Sequence, residues 1–436
     1  MVSSRERRCP TKAKMKGRIC IGLAIIMGLV LPAARAPISA EPIAWMPPLN
    51  LSQNGGRSLY PQVVSDPLSG DVHVLWTDDS SGNWEILHRR WDGTSQSWTP
   101  TRDLSNSPWI DHGSAFLVDG QGRGHLVWIR RYAASFGAPA DGTDILYRRW
   151  DGSSWSEEEL IYHNDAYLPE GYGLALVELA DKLCLFVSYG QGFTRTCRED
   201  VAWSPLEPWN YKLGVSISAL AADGQGRLHA VGYGENGGSG PWDHYFRDVY
   251  YATFDGVRWS EPFNVSSTDG AAHDASLAVD AEGNVHVLWT DIGSPYSSES
   301  DKSALYERVL AGSAWSANAE VAAPNSGRAV QDVDVVADKD GTLHLAWTEG
   351  LLVQGQATGI DVHYARNEGS GWLAEGRVYA SDADSLNVCL AVGEEGHVYL
   401  VWQEGPSGAE EVYFVSNDPR IADAYRVYLP LIVKGE

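Results

Sequence analysis

Apolar residues run in short alternating stretches along this chain, and one stretch returns again and again. GDVHVLWTD occupies Gly70–Asp78 and GNVHVLWTD occupies Gly283–Asp291. Aligned with them are GRGHLVWIR (Gly122–Arg130), GRLHAVGYG (Gly226–Gly234), GTLHLAWTE (Gly341–Glu349), GHVYLVWQE (Gly396–Glu404) and the weaker DKLCLFVSY (Asp181–Tyr189). The seven copies begin 45 to 59 residues apart, a period that marks propellers, solenoids or arrays. An alternating run precedes the strong copies and ends in Asp-x-x-Gly before four of them, as in ASLAVDAEG (Ala275–Gly283). A run such as DVYYATF (Asp248–Phe254), a tight Asp-Gly turn and RWSEPFNVS (Arg258–Ser266) follow it. Each period therefore predicts four short antiparallel strands, with no helical periodicity competing after residue 40. Four strands repeated radially make an all-β fold, the β-propeller.

A tryptophan in the fourth strand counts the blades independently. Trp98, Trp155, Trp203, Trp259, Trp315 and Trp372 make six, and the last period stops after EVYFVSNDP (Glu411–Pro419) without its fourth strand. IAWMPPLNLS (Ile43–Ser52) matches VRWSEPFNVS (Val257–Ser266), so Trp45 is the seventh copy. Seven blades are expected, the last closed by residues 43–52, which hides both sheet edges. Residues 41–420 form the propeller in this reading, and 421–436 an apolar tail.

The repeat also decides what the histidines are. His73, His125, His229, His286 and His344 share one position, with Cys184 and Tyr399 in the other two blades. One catalytic task is not copied into five blades. These histidines are expected to be structural, each ring bonded to a neighbouring strand or turn, because buried polar groups need partners.

Charge and compartment narrow the function classes. Residues 1–40 carry a basic region, an apolar core from Ile19 to Leu31 and then small residues, the pattern of a secretory signal cleaved after Ala40. The core is short for a membrane span, so a secreted, extracellular chain without stable membrane insertion is expected. The full chain has a formal charge of −24, and removing a segment that carries +7 leaves about −31. Such a chain is no general nucleic-acid binder, and it repels anions unless arginines cluster locally. Export permits a disulfide. A two-residue hairpin at Gly190–Gln191 places Cys184 opposite Cys197, close enough to bridge, and leaves Cys389 as a buried thiol.

The turns WDGSSW (Trp150–Trp155), FDGVRW (Phe254–Trp259) and NEGSGW (Asn367–Trp372) resemble the Asp-box repeat of the sialidase-like superfamily, shortened by one residue. The resemblance spans the chain after residue 40. It implies a propeller, an affinity for glycans, and a functional face opposite the Asp-box turns. Catalytic sialidases have six blades, an Arg-Ile-Pro motif, three arginines for the substrate carboxylate, a Tyr and Glu nucleophilic pair and an Asp acid/base. No Arg-Ile-Pro occurs here; the corresponding region reads RSLYPQVV (Arg57–Val64), so no catalytic residue carries over.

Function is therefore sought where the copies differ, in the loops after the repeated stretch and between blades. Aromatics suited to sugar stacking or to loop packing collect in blades 2 to 4: Trp109, Tyr132, Phe136, Tyr167, Tyr172, Trp209, Tyr211, Trp242 and Tyr245. Asp78, Asp291, Glu349 and Glu404, with Glu235 nearby, form a carboxylate ring that could cap loops, bind a cation such as Ca²⁺ or supply acid/base pairs, with Asp78 and Asp291 the metal candidates. Arg130 and Arg131 replace the acid in blade 2 and suggest a cationic spot. Asp111, His112, His273 and Asp274 begin the innermost strands of blades 2 and 5 and are the catalytic candidates. The ligand-binding candidates are Arg130, Arg131, Tyr132, Trp242 and Tyr245. The expected function is a monomeric extracellular recognition module for carbohydrate or a cell-surface ligand, with no obligatory cofactor. The alternative is an exo-sialidase-like glycoside hydrolase or a lyase acting on the same face.

Overall fold

The computed structural model describes residues 43–133, 141–165, 173–179, 182–189, 192–206, 215–235, 247–268, 271–292, 303–322, 327–353 and 356–428. Seven antiparallel sheets follow one another along the chain, each ordered first to fourth strand from the inside outwards. Blade 1 runs Ser58–Ser65, Val72–Asp78, Glu85–Asp92 and Ser97–Trp98. Blade 2 runs Ile110–Val118, Gly124–Arg131, Thr143–Trp150 and Glu159–Asn164. The last blade joins Ser385–Val392, Val398–Glu404 and Glu411–Ser416 to Leu49–Asn50, so the ring is closed by the first of the described strands. Leu51 and Met46 are buried in the core that this closure seals.

The repeated stretch forms every second strand, and in blades 1 and 7 all seven residues of that strand are buried, as a strand covered on both faces requires. Each fourth-strand tryptophan crosses to the preceding blade. Trp45 meets Tyr364 edge-on at 5.2 Å, Trp98 meets Phe414 at 5.0 Å, Trp203 meets Tyr147 at 5.3 Å and Trp315 meets Tyr251 at 5.0 Å. Blades are thus stapled edge-to-face, the favoured geometry for aromatic pairs.

The same third-strand residues hold the histidines. His125, His229 and His344 place Nδ1 within 2.8, 2.6 and 2.7 Å of the Tyr147, Tyr251 and Tyr364 hydroxyls. Their Nε2 atoms lie 3.0, 3.3 and 3.3 Å from Asp119, Asp223 and Asp338, the acids of the Asp-x-x-Gly turns. Turn, second strand and third strand are clasped together in each blade, and the repeated histidine is structural. In blade 3 a disulfide between the directly opposed Cys184 and Cys197 takes the place of the clasp. Cys389 is free and buried.

Helix α1, Pro419–Tyr428, departs from the expectation that no helical element occurs after residue 40, and takes in the first part of the apolar tail. Asp418 caps it, accepting the Arg420 N–H at 2.9 Å, and Pro419 at the first helical position loses no hydrogen bond there. Ile421 buries into the last blade while Ala424 and Tyr425 pack beside it, a helical spacing hidden within one short segment. Asp418 also accepts the Tyr399 hydroxyl at 3.0 Å, supplying the acid that the Gly393–Gly396 turn lacks. Residues 429–436 lie outside the described residues. Among the described residues no helix is long and apolar enough to cross a membrane.

Candidate functional site

The innermost strands bulge near the channel mouth in six blades. Tyr60, Asp274, Asp332 and Asn387 take φ values of 53°, 47°, 55° and 54° at these bulges, a conformation that Asn and Asp tolerate best. Asp274 Oδ2 accepts the Asp332 N–H at 3.2 Å, and Asp332 Oδ2 accepts the Asn387 N–H at 2.8 Å. Asp274 is therefore a link joining blade 5 to blade 6. Burial holds its carboxyl above the usual range. His273, beside it, is driven down to about 4 by burial and then by Arg247, so its ring is neutral near pH 7. His112 lies on blade 2, with blades 3 and 4 separating it from His273 along the chain. Asp111 joins a network of its own in blade 2.

The carboxylates after the repeated stretch also divide. Asp78 is closed: it accepts the Trp76 indole N–H at 2.9 Å, Asn54 Nδ2 at 2.7 Å, Ser58 Oγ at 2.7 Å and the Ser80 N–H at 2.9 Å. These bonds outweigh burial and hold it below the usual carboxylate range, and they leave little of it for a cation. Glu404 likewise accepts the Trp402 indole N–H at 2.7 Å. Asp291 is different. Its Oδ2 is buried without a hydrogen-bond partner of ordinary geometry among the described residues, and burial, with Asp248 adding to it, raises its pKa against the pull of the Thr268 hydroxyl. Among the described residues no group of three or more His, Cys, Asp or Glu is arranged to hold a metal ion.

Blade 2 departs most from the repeat. Position 130 is arginine, so the Trp128 indole N–H turns to Asp111 Oδ1 on the first strand, at 2.6 Å. Arg130 Nε donates to the same oxygen at 2.9 Å, while Nη1 and Nη2 donate to the two oxygens of Glu158 at 2.7 and 2.9 Å. Nη2 also donates to the Ser105 carbonyl at 3.2 Å. Arg130 and Arg131 are both buried, at 8% and 5% exposure, which corrects the expected cationic spot: the guanidinium of Arg130 is spent within the protein. Sequence spacing could not reveal this, because Glu158 lies 28 residues away.

Around this pair stands a second set of groups. Ser107 Oγ donates to Asp111, and the Ser107 N–H donates to Glu85 at 3.1 Å. Asn83 Nδ2 donates to Glu85 at 2.7 Å and to the Trp109 carbonyl at 2.7 Å. The loop that carries Trp109 is thus pinned by two buried carboxyl groups. Burial pushes Asp111 up to about 6 against the pull of Arg130, and pushes Glu85 up to about 7, with Asp103 and Asp111 adding to the rise. Both could exchange protons near neutrality, but both are sealed under the loop, so their chemistry is to hold it.

Trp109 itself is 39% exposed and meets Tyr132 edge-on at 5.3 Å. The Tyr132 hydroxyl donates to Asp144 at 2.5 Å, and burial together with that carboxylate pushes the phenol up to about 12. His163 Nδ1 also meets Asp144 at 2.5 Å, and its Nε2 lies 2.9 Å from Asp165. These bonds raise the His163 pKa, Asp144 first. The result is an exposed aromatic platform edged by carboxylates and one histidine. Tyr132 and Trp109 were legible as loop aromatics, whereas Asp144, Glu158 and His163 were not. The signal for Asp144 was the repeat itself, since Glu85, Asp248, Asp361 and Glu411 stand opposite the last residue of the repeated stretch in other blades, as Asp144 stands opposite Arg130. Trp242 and Tyr245 lie outside the described residues, as do Phe136, Tyr167, Tyr172, Trp209 and Tyr211.

No family model matches this chain, and no curated protein matches it in sequence. Solved structures do match. A protein of unknown function from Dyadobacter fermentans is 11% identical, with a TM-score of 0.52 over 86% of this chain and 99% of that one. A polysaccharide lyase, an ulvan lyase bound to -[GlcA(1-4)Rha3S]-, is 12% identical, with a TM-score of 0.56 over 83% of this chain and 94% of that one. Trypanosoma rangeli sialidase in complex with sialic acid is 12% identical, with a TM-score of 0.47 over 87% of this chain and 60% of that one. At these identities the likeness to the first two is one of fold alone: the chain is a seven-bladed β-propeller of four-stranded antiparallel sheets.

Proposed function

We propose that this protein is an extracellular recognition module that binds carbohydrate through the loop face of blade 2. One observation carries the reading: Trp109 is held out to solvent, braced by Tyr132 and anchored through its backbone by Asn83 and Ser107, with carboxylates at its edge. Sugars present an apolar C–H face to an aromatic ring and hydroxyl hydrogens to acceptors, and a pre-positioned ring loses little entropy on binding. The fold likeness to a polysaccharide lyase is consistent with a saccharide ligand. Secretion rests on the leader-like pattern of residues 1–40.

The test is binding of the full chain to a broad oligosaccharide array, alongside Trp109→Ala and Tyr132→Phe variants. Trp109→Ala should abolish the parent's signals, because the platform is lost. Tyr132→Phe removes the bond to Asp144 but keeps the ring, and should weaken them only severalfold. Signals that persist unchanged in Trp109→Ala would refute the assignment.

A further inference from the structure

The class of saccharide that suits this platform can be read from the hydrogen-bond inventory around it. An acidic sugar needs free N–H donors for its carboxylate or sulfate, best a guanidinium fork. Arg130 has four of its five donor positions committed, three to Asp111 and Glu158 and one to the Ser105 carbonyl. Other arginines of the same face are also paired with carboxylates: Arg57 with Glu410 at 3.2 Å, Arg377 with Asp361 at 3.0 Å, and Arg328 with Glu349. Segments 134–140 and 166–172, which flank the platform in the chain, contain neither Lys nor Arg. Acceptors are in surplus instead. The Asp165 side chain is 99% exposed and the Glu158 side chain 29% exposed, in a chain whose formal charge is −24.

Resting on the carbohydrate reading above, we propose that the blade 2 platform takes a saccharide without acidic groups, whose hydroxyl or ammonium hydrogens are accepted by Glu158 and Asp165. A uronate or sialic acid would meet exposed carboxylates and, among the described residues beside Trp109, guanidinium groups that are buried, and the field of an acidic chain would hold it away. A neutral sugar stacks on Trp109 and donates to the rim, and an amino sugar adds an ammonium attracted by the same carboxylates.

The experiment uses the full chain with matched sets of neutral, amino and acidic oligosaccharides of equal length, assayed by array and then by calorimetry. Binding that depends on Trp109 should appear among the neutral and amino sets, with acidic partners at least tenfold weaker. Asp165→Asn should lower amino-sugar affinity severalfold and leave neutral sugars nearly unchanged. Glu158→Gln should do the opposite for acidic sugars, raising their binding severalfold by removing a negative charge and releasing one of the Arg130 donors that Glu158 now accepts. Acidic sugars that bind the parent as well as their neutral partners, through Trp109, would overturn this inference while leaving the carbohydrate reading intact. An absence of any Trp109-dependent signal would overturn both.

Discussion

Blades 1 and 5 carry nine-residue stretches that differ at one residue, Asp71 against Asn284, yet their histidines have opposite electrostatics. His286 lies between Asp280 at 3.2 Å and Glu307 at 2.7 Å; burial opposes its charge, but the two carboxylates raise it to about 9. His73 has no acid. Its Nδ1 meets His88 Nε2 at 3.1 Å, its Nε2 is buried without a partner among the described residues, and burial, His88 and Arg90 hold it well below 6.5. The reason is that Asp66, the turn acid of blade 1, is spent on the Leu68 N–H and on Ser69 Oγ, in a turn one residue longer than Asp280–Gly283. Near neutral pH the same position therefore carries a cation in blade 5 and a neutral ring in blade 1. A strand sequence dictates burial, and its neighbours dictate ionisation.

The comparison can be broken by pH, where the largest effect is expected. His73 and His88 have depressed folded pKa values, His88 at about 3 because of burial and then Arg90 and Arg102. Their contribution is present above about 6.5 and is lost as pH falls through the unfolded value towards the folded one. By pH 4 His88 alone should cost on the order of 3 kcal/mol, with His73 adding to it. His286 acts with the opposite sign: its contribution is present below about 6.5 and fades as pH rises towards 9. Denaturant melts between pH 4 and 9 should show stability falling at both ends. The acid limb should shrink in His88→Tyr, which installs the His–Tyr clasp of blades 2, 4 and 6.

Removing the ring of His286 leaves Asp280 and Glu307 buried without it. His286→Gln should therefore cost roughly 3 kcal/mol at pH 7, in the range for breaking a buried pair, and flatten the alkaline limb. In blade 3, Cys184→Ser with Cys197→Ser should cost about 3 kcal/mol, the loop-closure value for a separation of 13 residues. A double variant that melts like the parent would show that the bridge is not the counterpart of the clasp.

The smallest effects compare the acids at the other end of the stretch. Asp78→Asn puts an amide donor among the donors that Asp78 now accepts, and should cost about 2 kcal/mol. Asp291→Asn removes a carboxyl that burial already disfavours, and should change the melting midpoint by less than about 1 kcal/mol, in either direction. Equal losses at both positions would mean that the Thr268 hydroxyl holds Asp291 as firmly as the donors around Asp78 hold that residue.

Much of the fold was legible because its signals are local and repeated. The period of the HVLW-type strands, the tryptophan count and the match between Ile43–Ser52 and Val257–Ser266 lead to seven blades and their closure without any contact being known. Helix α1 was missed because ten residues with one buried isoleucine give too short a period to stand out. The platform was half legible. Tyr132 and Arg130 stood out as departures from the repeat, but Arg130 reads as a free cation in sequence and is a buried ion pair in the fold.

By itself the sequence determined which residues are buried, which turns are tight and where the ring closes. Alternation and a repeated tryptophan act over a few residues and recur seven times, and the Asp-x-x-Gly turn recurs in four blades. Only the tertiary structure decided what those residues do electrically. Arg130 is neutralised by Glu158, Asp274 is tied to Asp332 and the end of the repeated stretch in blade 1 is capped by Asn54, partners 28, 58 and 24 residues away. A charge or a hydrogen bond depends on distance and desolvation, and those exist only once the blades have packed.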